Sequence, residues 1–408
     1  MADGRRDDVL TGLERLLESG PACAGLREGA RIGLVAHPAS VDRELRHAVD
    51  LLAGDPRVNL VHLFGPEHGL RGEAQDMEPV EGAVDTETGL PVSSLYGSDA
   101  ESLHPGHEEI ASLDAVFYDL QDVGARYYTF VYTLSYVMEA ARNADRPVVV
   151  LDRPNPIGGR AVEGPVLDPS LESFVGRFPI PVRHGMTTGE LAGMFNEAFG
   201  IGCDLRVVPM TGWRRPVRFE QTGLPWVAPS PNMPTPDTAR VYPGGCLIEG
   251  TNLSEGRGTT RPFELIGAPW LDGTALASSL DTIGLPGARF RPTVFRPMFH
   301  KHAHRTCGGI QVHVTDAEAF RPFSVYLAVV REAMRQDRRS FDWRREAYEF
   351  ETVRPAIDLL LGRSDLRPML ESGASVEAME DVWSAELAAF LELRERYLLY
   401  PDGAQVPG

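Results

Sequence analysis

Apolar runs and amphipathic stretches alternate through the first half of the chain. Runs typical of buried strands are followed by stretches in which apolar residues recur every three or four positions, as in helices. The predicted strands cover residues 32–36, 58–64, 115–120, 147–151 and 205–209. The predicted helices cover residues 42–52, 128–143 and 188–199. This alternation predicts a parallel sheet with helices on both faces, an α/β fold.

The two ends of the chain have different patterns. Leu10, Leu13, Leu16 and Leu17 recur at helical spacing and predict a short helix that packs outside the first domain. Residues 211–262 are rich in Pro, Gly, Thr and Asn, which predicts loops. After them come predicted strands near residues 289–295 and 309–314, and predicted helices near 317–335, 353–361 and 376–396.

These patterns together predict three parts. Residues 1–22 would form an N-terminal helical extension, and residues 23–235 a Rossmann-like catalytic domain. Residues 236–408 would form a smaller α+β domain that completes a cleft with the first.

The charge of the chain limits its partners. The formal net charge is -18 at pH 7, which argues against nucleic acid and anionic lipid as general partners. No run approaches the roughly 20 apolar residues of a membrane span, and the N-terminus lacks the apolar core of a secretory signal. We therefore expect a cytoplasmic protein, or a secreted one if a leader has been removed. The pattern does not predict an oligomeric state.

Four cysteines are spread through the chain at Cys23, Cys203, Cys246 and Cys307. None of them forms a CxxC pair, which excludes a zinc ribbon or a thioredoxin-type motif. The expectation is four buried free thiols.

Polar residues follow four of the predicted strands. Glu67, Asp122 and Arg153 lie in such segments, and His37 follows the first strand. In an open parallel sheet, ligands bind outside the carboxyl ends of the strands. One carboxylate after a strand is more often a helix cap or an ion-pair partner. Four polar ends at one edge favour a site.

Several common catalytic motifs do not occur in the sequence. There is no GxGxxG after the first strand and no phosphate-binding loop, so a dinucleotide cofactor and nucleotide hydrolysis are not expected. There is also no GxSxG nucleophile elbow, which disfavours a serine hydrolase of the α/β type.

Three alternating histidines suggest a metal site as an alternative. His300, His302 and His304 would share one face of a strand and could bind a transition metal. No Asp, Glu or Cys lies at the usual ligand spacing. We therefore favour a polar strand end in which one histidine meets the substrate, and we predict no metal.

Residues 249–261 form the densest polar segment. Its glycines permit unusual backbone angles and close approach to a ligand. Its Asn, Ser and Thr side chains offer the neutral hydrogen bonds that sugar hydroxyls need. The segment could equally be a rigid interdomain loop, and the two interpretations are compatible.

At these segments the sequence resembles the NamZ-type exo-β-N-acetylmuramidases, a glycoside hydrolase family. The matching stretches are LFGPEHGLRG (63–72), YDLQDVGARYYTFVYT (118–133), LDRPNPIGG (151–159), VEGPVL (162–167), PIPVRHGMTTGELA (179–192), PSPNMPT (229–235) and EGTNLSEGRGTTRPFE (249–264). The resemblance implies a Rossmann-like domain, a smaller second domain and a cleft between them. It also implies release of N-acetylmuramic acid from the non-reducing ends of peptidoglycan fragments, without a metal or organic cofactor.

Glycoside hydrolysis normally needs an acid for the leaving oxygen and a second group for the charge at the anomeric carbon. We expect Glu67 to be the general acid, because Gly65, Pro66 and Gly69 hold it on a tight loop. Glu163 is the first candidate for the second group and Asp122 the next. The acetamide of the substrate is a further route.

Muramic acid carries a lactyl carboxylate, and the planar guanidinium of arginine matches that group. The candidate arginines are Arg71, Arg126, Arg153 and Arg257. Other expected substrate-binding residues are His68, Gln121, Tyr127, Asn155, His184, Asn232, Asn252, Glu255 and His302. Asn and Tyr are also common as structural residues in such turns.

Two other functions remain open at this point. One is a metal-dependent hydrolase built on the three histidines. The other is a non-catalytic protein that binds muropeptides in a degenerate cleft. The acidic residues Glu67, Asp122 and Glu163 argue against degeneration.

Overall fold

A computed structural model describes residues 9–72, 75, 78 and 82–403. The strands are β1 (Arg31–Ala36), β2 (Asn59–Gly65), β3 (Ala83–Val84), β4 (Pro91–Ser94), β5 (Ala115–Asp119), β6 (Val148–Leu151), β7 (Glu163–Val166), β8 (Pro181–Arg183), β9 (Leu205–Val208), β10 (Leu265–Ala268), β11 (Ala288–Phe295) and β12 (Cys307–Val314). The helices are α1 (Gly12–Ser19), α2 (Ala48–Ala53), α3 (His107–Ala111), α4 (Phe130–Asn143), α5 (Thr188–Glu197), α6 (Pro236–Gly245), α7 (Gly273–Ile283), α8 (Pro322–Gln336), α9 (Ala356–Leu361), α10 (Leu366–Ser372) and α11 (Val376–Arg394).

A seven-stranded sheet forms the centre of the first half. Its strand order is β3-β4-β2-β1-β5-β6-β9, and every neighbouring pair is parallel except β3 with β4. Every residue of β5 and β6 is buried, as expected for strands with helices on both faces. The predicted α/β class with a parallel sheet is confirmed.

The second half adds a smaller sheet. Strands β10, β12 and β11 form an antiparallel sheet in that order, against which α7 packs. One continuous apolar core joins both halves, with Tyr118 and Val150 from the large sheet and Leu247 and Phe323 from the second half. Helices α6 and α8 approach closely at Gly244, where an added Cβ would lie 2.0 Å from a backbone oxygen.

The N-terminal helix belongs to the packing of the large sheet. Thr11 and Glu14 form a capping box at the start of α1, which fixes its first turn. Leu13 and Leu16 are fully buried in a cluster with Leu34 of β1. The expectation that this helix packs outside the first domain is therefore wrong, because its apolar face covers the sheet.

Two other predictions need correction. The helix predicted at residues 42–52 begins only at Ala48, because the Asp42 carboxylate accepts backbone N–H groups two and four residues later and forms a turn. His47 then caps the shortened helix. The predicted loop at residues 211–262 contains α6, which begins after the N-cap Thr235.

The four cysteines are unpaired. Cys203, Cys246 and Cys307 are buried, as expected, but Cys23 is exposed. Cys23 lies in a short turn after α1 that faces solvent. None of the described helices has the length and apolar character needed to cross a bilayer.

Candidate active site

A cavity lies at the point where the strand order of the large sheet reverses. The chain passes from β1 to β2 on one side and later places β5 on the other side of β1. Such a switch point opens a crevice at the carboxyl ends of the strands. Its space amounts to about 530 Å³, part of which is open to solvent, and its walls include residues 67–68, 127–130 and 348–349. Both halves of the chain therefore form it.

Glu67 lies on a tight loop at this edge. Strand β2 ends at Gly65, and His68 and Gly69 both have a positive φ, of 71° and 82°. The loop folds back so closely that a Cβ on Gly65 would lie 2.9 Å from the backbone nitrogen of Leu70. Positive φ at a residue other than glycine is uncommon and is often found at functional sites. The loop places Glu67 at the cavity, where it is 6% exposed.

The start of α4 holds the Glu67 carboxylate. Thr129 Oγ1 donates a hydrogen bond to Glu67 Oε2 at 2.7 Å. Tyr128, which directly precedes Thr129, also lines the cavity. Burial raises the pKa of its phenol well above the usual value. Its hydroxyl therefore stays protonated beside the acid.

Glu249 is a second carboxylate in the cavity. Arg257 Nη2 donates to its Oε1, and the Tyr348 hydroxyl donates to its Oε2, both at 2.7 Å. Burial raises the pKa of Tyr348 well above the usual value, so the phenol remains a donor. The Arg257 guanidinium also lies over the ring of Phe263, 5.2 Å from its centre. These contacts fix both oxygens of Glu249.

Glu255 lies behind this wall. His300 Nδ1 and Lys301 Nζ each lie 3.0 Å from its oxygens, and Arg257 Nε lies 3.5 Å away. Burial alone would raise the pKa of Glu255, but Lys301, His300 and Arg257 outweigh it and hold that pKa far below its usual range. Glu255 is not among the described residues of the cavity wall, and it acts as an anchor for Arg257.

Glu163 is placed away from the cavity. Its Oε1 accepts the backbone N–H of Ser324 at 3.0 Å and the Ser324 hydroxyl at 3.3 Å, which caps the first turn of α8. Burial raises the pKa of Glu163 to about 7, against the opposing charge of Arg183. It is not one of the described wall residues. The structure therefore gives the expected second catalytic group, Glu163, the contacts of a helix cap and does not bring it to the wall of the cavity.

Asp122 lies in the turn after β5. Its Oδ2 accepts the backbone N–H of Gly124 at 2.6 Å and lies 3.4 Å from His184 Nε2. These contacts stabilise the turn after β5. Asp122 is not among the described wall residues either, so the structure does not bring it to the cavity where Glu67 lies.

Two of the candidate arginines pair with acids elsewhere. Arg71 Nη2 lies 2.8 Å from Asp85. Arg153 makes two hydrogen bonds to Asp119, of 2.6 and 2.7 Å, deep in the sheet. Neither arginine is a described wall residue of the cavity. They do not fit the expected substrate clamp.

Arg126 is a buried structural residue. Its guanidinium donates to the backbone oxygens of Leu359 and Leu360, at 3.3 and 2.8 Å. It thereby ties the turn after β5 to α9. Of the four candidate arginines, Arg257 is therefore the one that the structure brings to the cavity.

Three of the predicted polar substrate contacts do reach the cavity. His68, Tyr127 and Asn232 line it. The Tyr127 hydroxyl already donates to the backbone oxygen of Pro243 at 3.2 Å, which leaves its ring to form the wall. Asn232 Nδ2 donates to Gln75 Oε1 at 3.3 Å, and His68 forms part of the same wall.

Three others hold the strand-end loops together. Gln121 Nε2 donates to two backbone oxygens, including that of Pro154 at 2.8 Å. Asn155 Nδ2 donates to the backbone oxygen of Met186, and His184 Nδ1 accepts the Met186 N–H. All three side chains form hydrogen bonds within the scaffold, and none of them is a described wall residue of the cavity.

The three alternating histidines do not converge. His300, His302 and His304 lie in a turn region with positive φ values of 66°, 58° and 62°, and not on a strand. His300 faces Glu255, whereas His302 Nε2 contacts the backbone oxygen of Asn252 at 2.7 Å. Within the described ranges, no three His, Cys, Asp or Glu side chains are arranged to hold a metal ion. His302 and Asn252 border a separate depression.

Sequence reasoning missed several cavity residues. Thr129 and Tyr128 lie inside the motif at residues 118–133, but no distinctive spacing marks them as site residues. Glu249 opens the polar segment, and its position after a buried apolar run was the available signal. Tyr348 and Glu349 carry no local signal, because long-range packing brings them to the cavity.

Comparisons with known proteins identify the family. Residues 32–237 match the family model "Exo-beta-N-acetylmuramidase NamZ, N-terminal" and residues 240–400 the corresponding C-terminal model. The chain is 45% identical over 396 residues to the peptidoglycan beta-N-acetylmuramidase NamZ of Bacillus subtilis (strain 168), covering 97% of this chain and 92% of that protein.

Two crystal structures of DUF1343 family proteins from Bacteroides fragilis NCTC 9343 are also similar. They have TM-scores of 0.86 and 0.76, with 36% and 29% identity, and each comparison covers 97% of this chain and 100% of the other. The motifs, the fold and these matches agree, and the chain belongs to the NamZ family of exo-β-N-acetylmuramidases.

Proposed function

We propose that this protein is an exo-acting glycoside hydrolase that releases N-acetylmuramic acid from the non-reducing ends of peptidoglycan fragments. The observation that carries the proposal is the buried Glu67, presented to a cavity between the two halves of the chain. The Bacillus subtilis relative is a peptidoglycan beta-N-acetylmuramidase, which supports the choice of sugar.

Glu67 protonates the glycosidic oxygen as the bond breaks. A positioned acid of this kind typically accelerates a reaction by roughly 10²–10⁴-fold. The hydrogen bond from Thr129 orients the carboxyl group toward the leaving oxygen. The Glu67 loop is tightly folded, so the acid is held in place before substrate binds.

Glu249 acts on the anomeric carbon. It replaces Glu163 and Asp122 in this role because it lines the same cavity as Glu67. Its carboxylate balances the positive charge that develops on the sugar ring, and Arg257 and Tyr348 fix its orientation. With the acetamide of the substrate as the attacking group, Glu249 would orient that acetamide.

Arg257 and His68 recognise the lactyl carboxylate. Arg257 supplies the guanidinium among the described wall residues, and its planar donors suit a carboxylate. N-acetylglucosamine lacks the lactyl group, so this contact distinguishes the two sugars.

The test is an NMR time course with a short oligomer of alternating N-acetylmuramic acid and N-acetylglucosamine. We expect free N-acetylmuramic acid to appear from the non-reducing end. An inverted anomer would indicate a base that activates water, for which Glu249 is the candidate. A retained anomer would indicate nucleophilic attack, by Glu249 or by the acetamide. Binding of the oligomer without cleavage would contradict the proposal and favour a muropeptide-binding protein.

A further inference from the structure

A second depression adjoins the catalytic cavity. Its space amounts to about 740 Å³ and opens to solvent, and Tyr136, Phe174 and Phe350 supply its aromatic walls. We call it the aromatic groove. Tyr348 and Glu349 line both the groove and the cavity. The two spaces are therefore neighbours across a shared wall.

The first part of that shared wall is a tight turn. The backbone N–H of Tyr348 bonds to the oxygen of Glu351, and the reverse bond is also present, each at 3.0 Å. Glu349 and Phe350 form the tip of this turn, and Glu349 has a φ of 51°. Glycine usually occupies this first tip position when φ is positive. A glutamate here stores backbone strain, which is typical of a residue kept for its side chain.

A second turn faces the first. Ser173 and Gly176 exchange backbone hydrogen bonds of 2.9 and 3.1 Å, so Phe174 and Val175 form the tip. Val175 lines the catalytic cavity, whereas Phe174 lines the groove. The rings of Phe174 and Phe350 lie 5.6 Å apart in an edge-to-face arrangement. Each turn therefore contributes one side to the cavity and one to the groove.

The groove combines aromatic rings with polar groups. Phe174 is buried against Tyr96 and Phe350, whereas Tyr136 and Phe350 are partly exposed. Tyr96 donates to Glu349 Oε2 at 2.8 Å, which fixes that carboxylate at the boundary between the two spaces. The buried Ser173 hydroxyl has no hydrogen-bond partner among the described residues. Aromatic faces suit the apolar C–H face of a pyranose ring, while carboxylate and hydroxyl groups suit its hydroxyls and acetamide.

From this arrangement we propose that the aromatic groove binds the leaving sugar, the N-acetylhexosamine on the reducing side of the cleaved bond. The inference rests on the proposed function, in which the terminal N-acetylmuramic acid occupies the cavity. The chain of an exo-acting substrate must leave the cavity on one side, and the groove is the depression that borders the cavity on the side of the two turns. The glycan then continues from the groove into solvent.

The test compares two substrates that differ only in the leaving group. One is the β-linked disaccharide of N-acetylmuramic acid and N-acetylglucosamine. The other is N-acetylmuramoyl β-fluoride, whose leaving group is too small to fill the groove. Phe350→Ala removes an aromatic wall, and Phe350→Leu is a milder variant for the case in which Phe350→Ala does not fold. Trp343→Ala is the matched control, because Trp343 is a partly buried aromatic residue on the same segment that lines a different depression.

We expect the Phe350 variant to lower kcat/KM on the disaccharide by roughly tenfold more than it lowers kcat/KM on the fluoride. A factor of this size corresponds to the loss of one aromatic contact with the sugar. Trp343→Ala should leave the ratio between the two substrates at its wild-type value. An equal effect of the Phe350 variant on both substrates would overturn the inference, as would an equal change in ratio for Trp343→Ala. Failure of the wild-type protein to cleave either substrate would instead refute the proposed function.

Discussion

The hydroxyl of Thr129 donates to Oε2 of Glu67 at 2.7 Å, although Thr129 directly precedes α4 and could cap that helix. A threonine at this position commonly accepts a backbone N–H of the first turn. Here its side chain makes no capping bond. The pair instead joins the loop after β2 to the start of α4 and gives Glu67 a fixed orientation.

Replacing Thr129 tests this positioning role. Thr129→Val keeps the shape of the side chain and removes the donor, so Glu67 loses its orientation. We expect kcat on the disaccharide to fall about tenfold with a small change in KM. This factor corresponds to the free energy of one hydrogen bond. Thr129→Ser retains the hydroxyl and should restore most of kcat. A Thr129→Val enzyme with wild-type kcat would show that the contact does not orient the acid.

Glu163→Gln should preserve activity and change the pH dependence of stability. The pKa of Glu163 is raised from its ordinary value of 4.5 to about 7, so the folded protein keeps a proton that the unfolded chain has released. This contribution to stability is complete below about pH 4.5 and is lost as the pH rises through 7. The free energy of unfolding falls by an amount on the order of 3 kcal/mol over this pH range. Glutamine still accepts the Ser324 N–H but does not titrate.

The measurement for Glu163 is denaturant unfolding of both proteins at pH 5 and pH 8. The wild-type protein should lose more stability between these values than Glu163→Gln. Turnover of the disaccharide by Glu163→Gln should stay within about threefold of wild type. A well-folded Glu163→Gln protein that has lost its activity would return Glu163 to the catalytic machinery.

Arg257→Lys should weaken the preference for muramides. Lysine retains the charge but loses the planar donors that match a carboxylate. We expect the ratio of kcat/KM for N-acetylmuramides over N-acetylglucosaminides to fall by about tenfold, roughly one charge-assisted hydrogen bond. Arg71→Lys is the control, because Arg71 pairs with Asp85 away from the cavity. An unchanged ratio in Arg257→Lys would remove the case for this clamp.

Treatment with a chelator should leave the hydrolysis rate unchanged. His300 and His302 contact different partners, so they do not present a common ligand set. The measurement is the rate on the disaccharide before and after dialysis against EDTA. A loss of rate that a divalent metal ion restores would support the metal-dependent hydrolase instead.

The sequence predicts the large sheet well because its strands are apolar and its helices have a clear period. Glu67 could be placed at a strand end for the same reason. The role of Glu163 could not be judged, because it depends on Ser324, which lies 161 residues away along the chain. A motif shows that a residue matters to the fold or the function, but it does not separate the two.

The same limit applies to the arginines and to the second wall of the cavity. Arg126 and Arg153 lie in motifs and look like anion-binding residues, yet each is used to join segments of the scaffold. Tyr348 reaches Glu249 across 99 residues of chain. Such pairs follow from tertiary packing, which no local pattern of polar and apolar residues encodes.

The most direct test of the account is the leaving-group dependence of Glu67→Gln. Glutamine can still accept the Thr129 hydrogen bond, but it has no proton to give. We predict that kcat on the disaccharide falls by roughly 10²–10⁴-fold, the usual contribution of a general acid. Hydrolysis of N-acetylmuramoyl β-fluoride should be affected far less, since fluoride leaves without a proton. Equal losses on the two substrates, or near-normal turnover of the disaccharide, would contradict the assignment of Glu67 as the acid.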